Sequence, residues 1–188
     1  MNNTPTPSPA RATAANAMAP STPPNLAVQL YQRWLAPVVQ QMNHLPYSPL
    51  AFLARFSIAA VFWQSGQTKV QGFAINFISG TYQFGWPRLA DGVIDLFESE
   101  YNLPLLPPEL GAMLAAFGEH VFPVFILLGL ATRLSALALL GMTAVIQLLV
   151  YPGAYPTHGV WASVLLLLMM QGPGKWSVDH WLARKYSA

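Results

Sequence analysis

The chain contains no cysteine. That excludes disulfides, thiolate catalysis and cysteine-ligated zinc or iron–sulfur clusters within it. Charge is scarce as well. Only 9% of the 188 residues are charged, against about 25% in a typical soluble domain. The net charge of +2 and the lack of any basic run argue against a nucleic-acid partner. No flavin or nicotinamide fingerprint is present, so any electrons must come from another protein. What remains is apolar: 54% of the residues are hydrophobic, a composition suited to lipid as the main solvent.

Residues 1–25 are mostly Thr, Pro, Ser, Ala and Asn, with no continuous apolar core for a signal peptide. They read as a disordered tail. In residues 26–49, Leu26, Leu30, Trp34, Val38 and Met42 recur every four residues, with Pro37 as a kink. This pattern fits an interfacial amphipathic helix or a helix packed on a bundle.

Four apolar segments follow, at about 50–70, 110–131, 134–151 and 158–172. The last is short, about 22 Å at about 1.5 Å per residue. Spanning segments of this kind are helices, because each backbone polar group needs a partner inside its own segment. The expected architecture is therefore an all-α integral membrane protein: a four-transmembrane-helix bundle over residues 50–172, with short interfacial helices and a cytoplasmic segment at 173–188. Gly66, Gly111, Gly118, Gly129 and Gly141 suit close helix approach. In the connector 71–109, Pro87–Tyr101 reads as a short amphipathic helix starting at Pro87, and Asp91, Asp95, Glu98 and Glu100 make it acidic. With four spans, one side holds Arg11, Arg33, Arg133, Lys175, Arg184 and Lys185, and the other Arg88 alone. The positive-inside rule then puts both termini in the cytoplasm.

The polar residues inside the spans are the candidates for function. Counted from the cytoplasmic ends, Glu119 and His120 lie about 16–18 Å up their helix, and Gln64, Gln147 and His158 about 20–22 Å up theirs. Glu119, His158, Gln64 and Gln147 therefore form a candidate polar layer. The bland reading is a buried carboxyl that fixes helix register by hydrogen bonding to Gln147 or an imidazole. Glu119 and His120 point about 100° apart and cannot aim at one spot. Arg55 reads as a snorkelling cation, Arg133 as a topology determinant, and Lys69 as a cation that snorkels outward or meets a headgroup. Met142, Met169 and Met170 read as packing residues, and no metal site is expected.

The order of these residues resembles the DoxX family. The resemblance runs through Arg55-Phe56, Ser65-Gly66-Gln67-Thr68-Lys69, Leu105-Leu106-Pro107-Pro108, Glu119, Pro123 and Leu128-Gly129-Leu130-Ala131-Thr132-Arg133. It continues with Val150-Tyr151-Pro152, His158 and Gly172-Pro173-Gly174, then Ser177 and Asp179, covering about residues 50–180. It implies a small bacterial inner-membrane protein with four helices, associated with quinol oxidation or thiosulfate-to-quinone electron transfer. It carries over Arg55, Ser65, Lys69, Glu119, Arg133 and His158 without assigning a catalytic role to any of them. Whether the chain is an enzyme stays open.

Three functions follow as alternatives. One is a redox-associated subunit that interacts with the quinone pool or an oxidoreductase, using Glu119 and His158 with Gln64 or Gln147 orienting. The second is a non-catalytic anchor or assembly protein, contacting its partner through the acidic connector. The third is haem ligation by His120 and His158.

Overall fold

The computed structural model describes residues 25–76 and 79–186. The chain divides into two units, Met1–Leu45 and Pro46–Ala188. The expected disordered tail lies outside the described residues except for Asn25. Its side chain accepts a hydrogen bond from the Val28 N–H and caps helix α1, Leu26–Asn43. A π-helical turn at Tyr31–Leu35 precedes Pro37, which lacks an N–H for the regular ladder. No residue of α1 is buried, and the stripe from Leu26 to Met42 is exposed throughout.

In the second unit, α2 (Tyr47–Lys69) leads into a two-stranded antiparallel hairpin, β1 (Val70–Asn76) and β2 (Thr81–Leu89). A short helix α3 (Val93–Leu96) follows and continues as a π-helical turn, Phe97–Tyr101. Then come α4 (Pro108–Leu128), α5 (Thr132–Val150), α6 (Pro152–Gln171) and α7 (Val178–Tyr186). The last five residues of α5 form a π-helical turn, and the first three of α6 a 3-10 turn.

The all-α expectation needs one correction. Val70–Asn76 and Thr81–Leu89 pair as a hairpin, so Pro87 sits in a strand and the short helix starts at Val93. Tyr82, Phe84 and Trp86 alternate along β2, the pattern of a strand with one aromatic face. A register irregularity between Gln71 and Phe73 bends the pair where Gly72 and Trp86 approach.

Among the described residues, α4, α5 and α6 are each long and apolar enough to cross a bilayer. A fourth span by the same criteria requires counting α1 and α2 as one. Alone, α2 has 23 residues, about 34 Å of helix, but it carries Arg55, Gln64, Gln67 and Lys69. The fourth apolar segment is longer than expected. It starts at Pro152 and runs for 20 residues, about 30 Å, which suffices to span.

The core draws on all four long helices. Ala54, Ile58, Ala59 and Phe62 of α2 meet Ile126 of α4, Ala136 and Leu139 of α5, and Leu165 and Leu168 of α6. Gly66 lets α2 and α4 approach closely, with the His120 ring and the Glu119 Cβ against its backbone. Gly141 has no neighbour within 4 Å of where a Cβ would stand, so it is not a contact glycine. A smaller cluster of Val93, Phe97 and Ala112 fastens α3 to the start of α4.

Candidate functional site: a buried ion pair and a helix-end clamp

The polar residues of the bundle sort into three separate groups. The first lies where α2 crosses α4 at Gly66. A Cβ on Gly66 would stand 2.9 Å from the His120 ring and 3.0 Å from the Glu119 Cβ, so only glycine permits this approach. Two i, i+4 pairs of α2 straddle the crossing. On one side, Ser65 and Lys69 face Glu119. Lys69 Nζ donates to Glu119 Oε2 at 2.7 Å and to Ser65 Oγ at 3.1 Å, and Ser65 Oγ donates to Glu119 Oε1 at 3.1 Å. Lys69 and Glu119 are 5% and 2% exposed, so this is a desolvated ion pair. Lys69 does not snorkel to the outer surface.

On the other side of Gly66, Trp63 and Gln67 face His120. The Trp63 ring meets the imidazole edge-on, with centroids 5.0 Å apart. The Ile75 N–H donates to Gln67 Oε1 at 2.7 Å, which orients the amide so that Gln67 Nε2 donates to His120 Nε2 at 2.8 Å. His120 Nδ1 then donates to the Ala116 carbonyl at 2.7 Å. This chain assigns a neutral imidazole with its proton on Nδ1. Both ring nitrogens are engaged by protein, so His120 offers no lone pair to haem iron.

The second group joins α5 to α6. His158 Nδ1 donates to Gln147 Oε1 at 2.8 Å, and Gln147 Nε2 donates to the Pro152 carbonyl at 2.7 Å. His158 is buried against Trp161. The expected single layer is therefore divided: Glu119 pairs with Lys69 and Ser65, and His158 pairs with Gln147. Gln64 is exposed on the outer face of α2. The resemblance had carried Ser65, Lys69 and Glu119 over separately; the structure joins them. Gln67 and Trp63 were missed, although their four-residue spacing placed them on one helix face with a polar end group each.

The third group lies at the other end of the bundle, at the α4–α5 turn. Gly129 adopts φ 69° and closes α4, with the Leu130 N–H donating back to the Phe125 carbonyl. Arg55, 1% exposed, donates from Nη1 to the Leu127 carbonyl at 2.7 Å and from Nη2 to the Trp176 carbonyl. It therefore does not snorkel: it places a cation on the negative end of α4. Asp179 does the reverse for α5, accepting from the Ala131 and Thr132 N–H groups at 2.7 and 2.9 Å. That contact holds Ala131 at φ 45°, unusual for a residue with a side chain. The Asp179 N–H donates to the Gly129 carbonyl at 2.9 Å. Ser177 fills the space that a side chain at Gly129 would need. Arg133 is exposed beside Gly172, 3.8 Å from its would-be Cβ.

Next to the first group, a groove of about 350 Å³ runs along the outer surface of the α2–α4 pair. Phe56, Ala59, Pro123 and Leu127 make it apolar, and Trp63, Gln64, Gln67 and Asn76 give it a polar end.

Apolar helices long enough to span, joined through a desolvated ion pair and closed by charged caps, define a multi-pass membrane protein. The DoxX family model matches residues 50–152, more than half of the chain, and the chain belongs to the DoxX family. The match ends before His158, Gly172-Pro173-Gly174, Ser177 and Asp179, so it is shorter than the expected 50–180. No curated protein and no solved structure matches the chain.

Proposed function

We propose that this protein is a redox-associated subunit of the bacterial inner membrane that works with the quinone pool through an oxidoreductase partner. The observation that carries this reading is the apolar groove on α2–α4 with a polar end backed by His120. A quinone is a flat apolar ring with two carbonyl acceptors. The groove offers it an aromatic edge at Trp63 and amide donors at Gln64 and Gln67. Gln67 Nε2 carries two N–H groups and uses one on His120.

Reducing a quinone to the quinol requires two electrons and two protons. The partner supplies the electrons. The two protons come from water: the one N–H of the neutral His120 is bonded to the Ala116 carbonyl, and neither it nor the Lys69–Glu119 pair lines the groove. Glu119, held by Lys69 and Ser65, fixes the α2–α4 crossing behind the groove, and His158 with Gln147 serves the α5–α6 contact.

The charge distribution supports cytoplasmic termini. Arg133 and Lys175 lie at the clamp end of the bundle, and Arg88 lies on the hairpin with the acidic Asp95 and Glu98 near it in sequence.

The test is a titration of the purified chain with a short-chain quinone, followed by tryptophan fluorescence. Saturable quenching that falls in Trp63→Phe supports the site. Quenching that never saturates, or that is unchanged in Trp63→Phe, rejects it.

A second reading is favoured by the hairpin. Phe84 and Trp86 are 78% and 89% exposed, and Asp95 and Glu98 are exposed on the adjoining helix. An anchor or assembly protein would use this end to hold a partner. Charge reversal at Asp95 and Glu98 would then release a co-purifying protein that Glu119→Gln leaves bound.

A further inference from the structure

A second groove, of about 780 Å³, opens at the clamp end of the bundle, between the start of α2, the start of α5 and the turn that follows α6. Its charged lining is Arg133, Lys175 and Asp179, with His180 beside them. The Asp179 oxygens already accept from the backbone N–H groups of Ala131 and Thr132, so its charge is directed at the end of α5. Arg133 Nη2 has one long contact, to the Met170 carbonyl at 3.5 Å, and is otherwise exposed. Lys175 is exposed, and its backbone N–H, not its ammonium, bonds Ser48 Oγ. Two cations thus border one cavity whose single acid is turned away.

The groove's position adds to this. Leu134, Pro46 and Pro173 supply apolar walls beside the cations. Trp176 and Trp181 are both about 60% exposed close by in the chain, as amphipathic rings at a headgroup layer are. Arg184 and Lys185 end α7, with Lys185 over the Trp181 ring. The elements around the groove therefore carry the composition of a membrane interface, where a phosphodiester with attached acyl chains is the most abundant anion.

We infer that this groove binds the phosphate headgroup of an anionic phospholipid, with Arg133 and Lys175 holding the phosphate and the apolar wall receiving the first part of an acyl chain. Gly172 lies beside the guanidinium, with its would-be Cβ in ordinary contact at 3.8 Å from Arg133 Nε and Nη2. The chemistry shared by a lipid headgroup and free phosphate is a singly or doubly charged oxyanion. The apolar wall selects the lipid.

The experiment is native mass spectrometry of the full chain released from detergent with limiting phosphatidylglycerol, phosphatidylcholine or inorganic phosphate. The expected result is one retained phosphatidylglycerol per chain in preference to phosphatidylcholine. Retention should weaken about fivefold in Arg133→Gln or Lys175→Gln and about thirtyfold in the double variant, from roughly 1 kcal/mol per basic side chain at a membrane surface. Both side chains are exposed, so the variants fold. Arg88→Gln, on the hairpin, should leave retention unchanged. Equal retention of the two lipids, or an unchanged double variant, overturns the inference. Displacement of phosphatidylglycerol by equimolar inorganic phosphate also overturns it, by showing that the acyl wall contributes nothing.

Discussion

The two ends of α2 bury charge in opposite ways. At its start, Arg55 is matched to the carbonyls of Leu127 and Trp176, and nearby Asp179 to the N–H groups of Ala131 and Thr132. At its end, Lys69 is matched to Glu119. A charge bound to a helix terminus has a partner that cannot be neutralised, because the backbone dipole is permanent. A charge bound to another charge has a partner that one proton can abolish. The clamp therefore rests on permanent dipoles, and the ion pair on two charges that each depend on the other. Burial alone would not have separated them, since Arg55 and Glu119 are equally inaccessible at 1% and 2% exposure.

This contrast can be broken most forcefully at Arg55. Arg55→Ala leaves two carbonyls without their charged donor, and the expected loss is about 3–6 kcal/mol, at about 1.5–3 kcal/mol per charge-assisted bond. Denaturation in mixed micelles measures it. A loss below about 1 kcal/mol would show that the clamp is dispensable and the contrast false.

Next comes Glu119→Gln, which leaves Lys69 buried beside a neutral amide and should cost about 3 kcal/mol. The decisive companion is Lys69→Met with Glu119→Leu. Replacing both charges by apolar groups should return stability to within about 1 kcal/mol of the original while removing any proton-linked response. No such apolar replacement exists for Arg55, whose partners are backbone. A double variant as unstable as the single one would make the pair another clamp.

Gly66→Ala probes the crossing itself. The added methyl would stand 2.9 Å from the His120 ring, so the helices must part by a few tenths of an ångström. Overpacking of this kind costs about 1–3 kcal/mol, read as a lower Tm. An unchanged Tm would mean that the crossing is loose.

The smallest effect is expected at the turn between α5 and α6, where Tyr151 donates to Glu100 and the carboxylate pushes the phenol from 10.0 up to about 12. Tyr151 is neutral when protonated. Its raised value means that the stability from this bond is complete below pH 10 and is lost as the pH rises through about 12. Phenolate absorbance should show one tyrosine titrating near 12 that disappears in Tyr151→Phe and moves back toward 10 in Glu100→Gln. A Tyr151 that ionises at 10 in the native chain would remove the hydrogen bond.

Much of this was legible before the structure. Long apolar runs with few charges identify spanning helices, and the positions of Glu119 and His120 along one such run place them deep. Which residues face each other was not legible, because depth along separate helices says nothing about rotation. Gln147 and Glu119 lie at similar heights, yet one turns to α6 and the other to α2. The partners of Glu119 were available in the four-residue spacing of Ser65 and Lys69. The hairpin was missed because prolines and acids dominated the reading of residues 71–109. The alternation of Tyr82, Phe84 and Trp86 was the stronger signal, since a period of two has no helical explanation. The clamp was hidden for another reason: its partners are backbone atoms, which every residue has.

Lys69 has one more connection. Its carbonyl accepts from the Ala90 N–H at 2.9 Å, closing the neck of the hairpin. The residue that carries the buried charge thus also closes the base of the hairpin. A change in the electrical state of the pair that shifts the end of α2 must register at Ala90. That single amide is thus a gauge of the buried pair, read by hydrogen exchange.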